Sequence, residues 1–281
     1  MKKQYVTLFA ILVYTSLIYS SCGNKSATGA LIFDKVELNE ETHMFGDTAK
    51  PGATLAIKFA YPLKSNDEVL KDTLIKIFAS ACFEDELYVG EPQNMIRLYA
   101  NNYFDTYHKE LEPMYLEDIK DKDNTDYVRS WYSYYKDIES KILLYKGDLL
   151  TYSVHFNEYT GGAHPSYRTM FLNIDLSEKK ILGLTDFFAE GYEEMLTDLL
   201  WNQLMLDKNV ASREALKDMG YGLMDDLFPT ENFCLEEDGM LFHYNIYEFT
   251  PYVMGAVEIK LPYDAIKHLM VSNKIISQIK K

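Results

Sequence analysis

Two long β-like runs, Leu149–Glu158 and Ser166–Leu176, flank the stretch Tyr159-Thr160-Gly161-Gly162-Ala163-His164-Pro165. Adjacent glycines give the backbone a freedom that other residues lack, and Pro165 fixes φ at the exit. The chain is expected to reverse there, so the two runs form an antiparallel hairpin that presents His164 at its turn. Lys146-Gly147-Asp148 is a second turn. It joins the hairpin to an aromatic run, Tyr127–Tyr145, whose Tyr127, Trp131, Tyr132, Tyr134 and Tyr135 favour a strand. The three runs together predict an antiparallel meander.

Everything else is placed around that meander. Ala30–Glu37 and Ala53–Tyr61 read as strands, the second with Leu55, Ile57 and Phe59 alternating with Ala56, Lys58 and Ala60. A helix is expected over Asn66–Ala81, with Leu70, Leu74, Ile77, Phe78 and Ala81 on one face and Asn66 or Asp67 as its cap. A second runs over Pro92–Leu111, where Pro92 suits a first turn. Beyond the meander, Tyr192, Leu196, Leu199 and Leu206 predict a helix over Tyr192–Lys208, followed by a short one at Arg213–Met219. Phe233–Leu235 and Met240–Tyr247 form a hairpin through Asp238-Gly239. Val253–Leu261 is a further strand, and Tyr263–Met270 a last helix after Pro262. No regular βαβ alternation is present. The class is therefore α+β, an antiparallel sheet with helices packed on one side, in two sequential subdomains over 30–180 and 181–281.

The N-terminus is expected to be processed. Lys2 and Lys3 precede an apolar run, Tyr5–Ile18, too short to span a bilayer comfortably. Small residues then lead to Cys22 in Ile18-Tyr19-Ser20-Ser21-Cys22, which reads as a bacterial lipobox with Tyr19 as its departure from the usual small residue. Residues 1–21 would be a signal peptide, Cys22 the lipidated start of the mature chain, and 22–29 a tether. This places the protein in the bacterial envelope, facing the periplasm and held to the membrane by lipid alone. The formal net charge of −15 excludes nucleic acid and anionic membrane as partners and favours a cationic one.

The candidates for chemistry are few. His164 is the candidate catalytic residue. A metal would need His155 and Glu158, yet strand parity turns these to opposite faces. Ser166 and Asp175 lie near in sequence as partners for a histidine base, but no Gly-x-Ser-x-Gly elbow exists. His43, His108, His243 and His268 lack metal-ligand spacing, and no cofactor fingerprint is present. The acidic run Glu117–Asp126 offers Asp121, Asp123 and Asp126 without a central glycine and with Tyr132 in the twelfth position, so it reads as a solvated loop and not as a calcium site. Tyrosines are dense between Tyr99 and Tyr135; sheet and core account for them more simply than a glycan site does. In an oxidising envelope Cys82 and Cys234 would either form one long-range bridge or remain separate buried thiols. The imidazole of His164 is then expected to fix its own hairpin by bonding backbone around the glycine turn.

Two groups of residues carry a resemblance. The first is Gly161-Gly162-Ala163-His164 with Asn173-Ile174-Asp175-Leu176 and Leu184-Thr185-Asp186-Phe187-Phe188. The second is Asp238-Gly239-Met240-Leu241-Phe242, Tyr247, Pro251-Tyr252 and Gly255. Together they resemble the paired extracytoplasmic domains of unknown function in RsiV-like anti-sigma factors and PdaC-like deacetylases. The resemblance implies a module that acts as a lysozyme receptor in the first group and accompanies a separate catalytic domain in the second. The expected function is non-catalytic binding of a basic, lysozyme-like protein or of peptidoglycan-type glycan. The alternative is a carbohydrate-active deacetylase or hydrolase using the His164 region.

Overall fold

The computed structural model describes residues 31–84, 90–120 and 125–279. The expected signal peptide, Cys22, the tether, Asp121 and Asp123 lie outside the described residues. Strands β1 (Ile32–His43), β2 (Gly52–Lys64), β3 (Tyr134–Lys146), β4 (Leu149–Tyr159), β5 (Ser166–Asp175) and β6 (Lys180–Leu182) form one sheet in chain order. The expected meander is β3-β4-β5, with Asn157 opposite both Asp137 and Tyr167. One pair departs from the antiparallel pattern: β2 and β3 run parallel. Helices α1 (Glu68–Phe83), α2 (Pro92–Asp118) and α3 (Thr125–Trp131) lie between them and carry the chain back to the same end of the sheet.

Each helix follows from local chemistry. Asp67 caps α1, accepting the Leu70 N–H at 2.9 Å, and Leu70, Leu74 and Phe78 are its buried stripe. Helix α2 continues beyond the expected Leu111 through Pro113. The lost backbone bond is offset by packing, because Tyr115 past the proline joins Tyr107, Tyr132, Met44 and Ala53 in a small core. The aromatic run is not a strand over Tyr127–Trp131 but helix α3. The reason is pairing: β2 meets β3 only from Tyr134, and β4 ends opposite Tyr135. Residues before Tyr134 therefore satisfy their own backbone groups as a helix.

Helices α1 and α2 cover one face of the sheet, over Leu55, Ile57, Phe59, Ile138, Val154 and Phe156, with Phe78 stacked 3.8 Å from Tyr152. The other face is divided. Leu149, Thr151 and Ser153 are buried, and Leu149 belongs to the C-terminal core. Farther along β4, His155 is exposed and Asn157 and Tyr159 are half-buried. That open end of the face is what the C-terminal half leaves uncovered.

The C-terminal half holds α4 (Glu193–Lys208), α5 (Arg213–Asp218) and a three-stranded sheet, β7 (Phe233–Leu235), β8 (Gly239–Tyr244) and β9 (Val257–Pro262). Strand β8 stops at Tyr244 and not at Tyr247, because the Asn245 N–H bonds Glu248 Oε2 and closes a turn. Strand β9 begins at Val257, after a 3₁₀ turn at Tyr252–Met254. Helix α6 (Tyr263–Ile266) is shorter than expected, and α7 (Lys274–Ile279) follows it, burying Ile275 and Ile279. Strand β6 pairs with β5 while its Leu182 enters the C-terminal core. Among the described residues no helix is long and apolar enough to cross a membrane.

Candidate functional site

The C-terminal half is positioned by asparagine side chains along the edge of β5. Strand β6 covers that edge only at Asn173–Asp175. Beyond it, the Thr169 and Phe171 N–H groups donate to Asn245 Oδ1 at 2.7 Å and Asn232 Oδ1 at 2.9 Å, and Asn232 Nδ2 donates to the Thr169 carbonyl at 2.9 Å. Asn173 does the same in reverse: its amide donates to the Phe233 carbonyl and accepts the Leu235 N–H, both at 2.8 Å. Unpaired backbone on a buried edge is costly, and amide side chains supply the missing partners. The result fixes the segment after β8 directly above the glycine turn.

At that point the two motif groups meet. Gly161 and Gly162 take φ of +86° and +102°, values that favour glycine. The Tyr159 hydroxyl donates to the Gly162 carbonyl at 2.8 Å, so Tyr159 fixes the turn. His164 does more than pin its own hairpin. Its Nδ1 lies 3.1 Å from the Pro165 carbonyl and donates to it, which leaves Nε2 to accept from the Tyr247 hydroxyl at 3.0 Å. The imidazole stacks on Tyr252 at 3.8 Å and 19°. Tyr247 has φ of +68°, an unusual setting for an aromatic residue. Pro251 leads into the 3₁₀ turn that carries Tyr252. Gly255 at φ of +76° leaves room for the Tyr167 hydroxyl, which would stand 3.3 Å from any added Cβ. Ala163 and His164 are exposed at the rim.

Below Tyr252 the open sheet face carries a second set of polar and aromatic groups. Tyr135 and Tyr159 are opposed across β3 and β4, their rings 6.3 Å apart at 26°. One row along, Asn157 Nδ2 donates to Asp137 Oδ2 at 3.1 Å, and Tyr167 lies opposite Asn157 on β5. Tyr167 and Tyr252 approach to 6.2 Å. Partial burial pushes the Tyr135 phenol up, with Asp137 and Tyr252 nearby adding to it. The shared face of His155, Asn157 and Tyr159 is legible in strand parity; Tyr135, Asp137 and Tyr167 join it only through the register.

The other sequence candidates are dispersed. His155 bonds Thr169 Oγ1 at 3.0 Å, while Glu158 turns away to Lys136 at 3.1 Å. Among the described residues no cluster of three His, Cys, Asp or Glu side chains would hold a metal. Asp175 does not reach His164. It accepts from the Ser177 hydroxyl at 2.6 Å and pairs with Lys274 at 3.2 Å. Cys82 and Cys234 are free and buried, Cys82 against the Tyr152 hydroxyl at 3.5 Å and Cys234 on β7. Burial pushes both thiols up to about 12. A separate hollow of about 410 Å³ lies between α2, α3 and the turn, lined by Leu111, Met114, Val128, Trp131, Thr160 and Gly161 among others. His164 does not line it.

Residues 185–264 match the family model described as a protein of unknown function, DUF3298. That stretch includes Tyr247 and Tyr252 but not His164. A crystal structure of a DUF3298 family member from Bacteroides fragilis is similar at 53% identity and a TM-score of 0.85, covering 90% of this chain and 98% of that one. A DUF3298 family protein from Pseudomonas aeruginosa shares the fold at 16% identity and a TM-score of 0.56, over 86% of this chain and 95% of its own. No curated protein matches the chain.

Proposed function

The chain belongs to the DUF3298 family, and on that premise we propose that it is a lipid-anchored protein of the bacterial envelope whose paired RsiV-like and PdaC-like domains form a non-catalytic binding module. Its partner is a cationic, lysozyme-like protein or a cell-wall glycan. One observation carries the non-catalytic reading. Both ring nitrogens of His164 are engaged, one by the Pro165 carbonyl and one by Tyr247, and its ring is stacked on Tyr252. The Nε2 that would take a proton is occupied by the Tyr247 phenol, and neither hydrogen-bond partner of the ring is a carboxylate that would stabilise an imidazolium. The net charge of −15 supports a cationic partner at the level of encounter. Lys2, Lys3, the apolar run and Cys22 support the anchor.

The test is a calorimetric titration of the full chain in zwitterionic detergent with hen lysozyme. Affinity should fall steeply between about 20 mM and physiological salt, as expected for exposed charges screened over about 8 Å. Absence of heat at low salt removes the cationic-protein reading. The enzyme alternative is tested by His164→Ala: a variant that keeps its melting temperature yet loses a glycan-hydrolysing or deacetylating activity of the parent would replace the binding reading.

A further inference from the structure

We propose that the open end of the sheet face beneath Tyr252 is a saccharide site, built for a neutral or amino-bearing pyranose and closed to uronic acids. The proposal rests on the binding-module reading above and names the ligand chemistry of one surface.

The tyrosines of this chain fall into two environments. Tyr107, Tyr115 and Tyr132 are buried in a core of their own. Tyr135, Tyr159 and Tyr167 are half-buried on a sheet face that no helix covers among the described residues, and half-buried Tyr252 meets them from the 3₁₀ turn. Their rings form two pairs: Tyr135 with Tyr159 across the strands, and Tyr167 with Tyr252, which comes from the other half of the chain. A flat ring left partly wet matches the C–H face of a pyranose, which is apolar yet rimmed by hydroxyls. The rim needs hydrogen-bonding groups beside the rings, and Asp137 and Asn157 supply them between the two ring pairs. Asp137 commits one oxygen to Asn157, and an ionised carboxylate has further acceptor capacity.

The charge at the site selects among sugars. Lys136 pairs with Glu158 and Arg168 lies 3.8 Å over the Phe156 ring, both on the opposite face, while Lys58 and Lys141 share the face of Asp137 but pair with Glu139. Asp137 bonds the Asn157 amide instead, and its carboxylate faces the ligand. An acidic sugar would meet like charge there, whereas an amino group would meet its complement. The positive φ of Tyr247 adds an independent observation. A bulky residue is held in a sparsely populated conformation beside the rings, and it thereby sets His164 and Tyr252 in place.

The experiment uses the full chain in a zwitterionic detergent free of sugar headgroups. Chitotetraose, its fully deacetylated counterpart and tetragalacturonate are titrated separately. The proposal expects one or both of the first two to bind with a dissociation constant of about 1 mM or tighter, and tetragalacturonate not to bind. Tyr252→Ala and Tyr167→Ala should each weaken binding about tenfold or more, while Tyr252→Phe, which keeps the ring, stays within about threefold. Asn157→Ala checks the same site without touching the His164 contacts. Asp137→Asn should weaken the deacetylated oligomer selectively. No binding of either amino-sugar oligomer at about 10 mM overturns the proposal, as does unchanged affinity in the tyrosine variants. If the oligomers fail while lysozyme binds, only the saccharide site is lost; if both fail, the binding-module reading falls with it.

Discussion

The Nε2 atom of His164 accepts a hydrogen bond from the Tyr247 hydroxyl at 3.0 Å, joining the glycine turn of the first sheet to the turn after β8. The pair is exposed, so its net worth is modest, about 0.5–1.5 kcal/mol. The stack on Tyr252 adds a similar amount. His164→Ala should lower stability by about 1–2 kcal/mol in urea unfolding and Tyr247→Phe by about 0.5–1 kcal/mol. A double-mutant cycle should return a coupling of at least about 0.5 kcal/mol. Full additivity would mean that the two turns do not hold one another.

Asn173 carries a heavier role. Its side chain replaces two ladder hydrogen bonds between the sheets, at a buried position. Asn173→Ala leaves the Phe233 carbonyl and the Leu235 N–H without partners, and each buried orphan costs about 1–3 kcal/mol. The variant should lose about 2–5 kcal/mol in chemical unfolding. Asn173→Asp keeps the acceptor and loses the donor, so it should still be destabilised. A loss under 1 kcal/mol in the alanine variant would show that water fills the gap.

These two contacts mark where sequence reasoning stops. The hairpin around Gly161-Gly162 was legible because period-2 runs and turn chemistry are local. The Asp67 cap and the Leu70-Leu74-Phe78 stripe were legible for the same reason. Helix α3 was not, because Tyr127–Trp131 has strand-forming residues but no neighbouring strand to pair with. The continuation of α2 through Pro113 depends on Tyr115 meeting Tyr132, a contact that propensity does not encode. The site followed the same rule. Strand parity placed His155, Asn157 and Tyr159 on one face, and the motif residues Tyr247 and Tyr252 were visible. That Tyr252 lands on His164 is set by the asparagine contacts along β5, which leave no periodic trace.

The two buried thiols lead to a chemical prediction. Burial pushes Cys82 and Cys234 up to about 12, so neither is a thiolate at neutral pH. With Cys22 blocked or lipidated, an aromatic disulfide reagent should find no reactive thiol in the folded chain and two after denaturation without reductant. Finding none after denaturation would show that the two are oxidised.

Acid should unfold the protein through specific carboxylates. Burial raises the Asp175 carboxyl, but hydrogen bonds from Ser177 and the Glu178 N–H, with Lys274 beside it, outweigh that and hold it below its ordinary 3.8. A folded value below the unfolded one gives stability that is present above about pH 4 and is lost as pH falls through the folded value. Asp186, held down chiefly by Lys180 and the Gly183 N–H against the effect of burial, acts in the same window. Asp175→Asn should flatten the acid limb of a stability-versus-pH curve below pH 4 and weaken the docking of α7 through Lys274. An unchanged limb would place the acid sensitivity elsewhere.

The two glycines of the turn should differ in a predictable way. Both have positive φ, so an L side chain at either is strained by about 1–2 kcal/mol. At Gly162 nothing lies within 4 Å of an added Cβ, and the backbone cost is the whole cost. At Gly161 the Cβ would stand 2.9 Å from the Trp131 carbonyl, at the end of α3. Backbone cannot swing aside as a side chain does, so either the turn or α3 must shift. Gly161→Ala should therefore be the more destabilised by about 1 kcal/mol or more, and the displaced turn should weaken the His164–Tyr247 bond. Thermal unfolding of the two single variants and of each combined with Tyr247→Phe separates these effects. If the displaced turn carries His164 with it, Tyr247→Phe will cost less in the Gly161→Ala background than in the Gly162→Ala background.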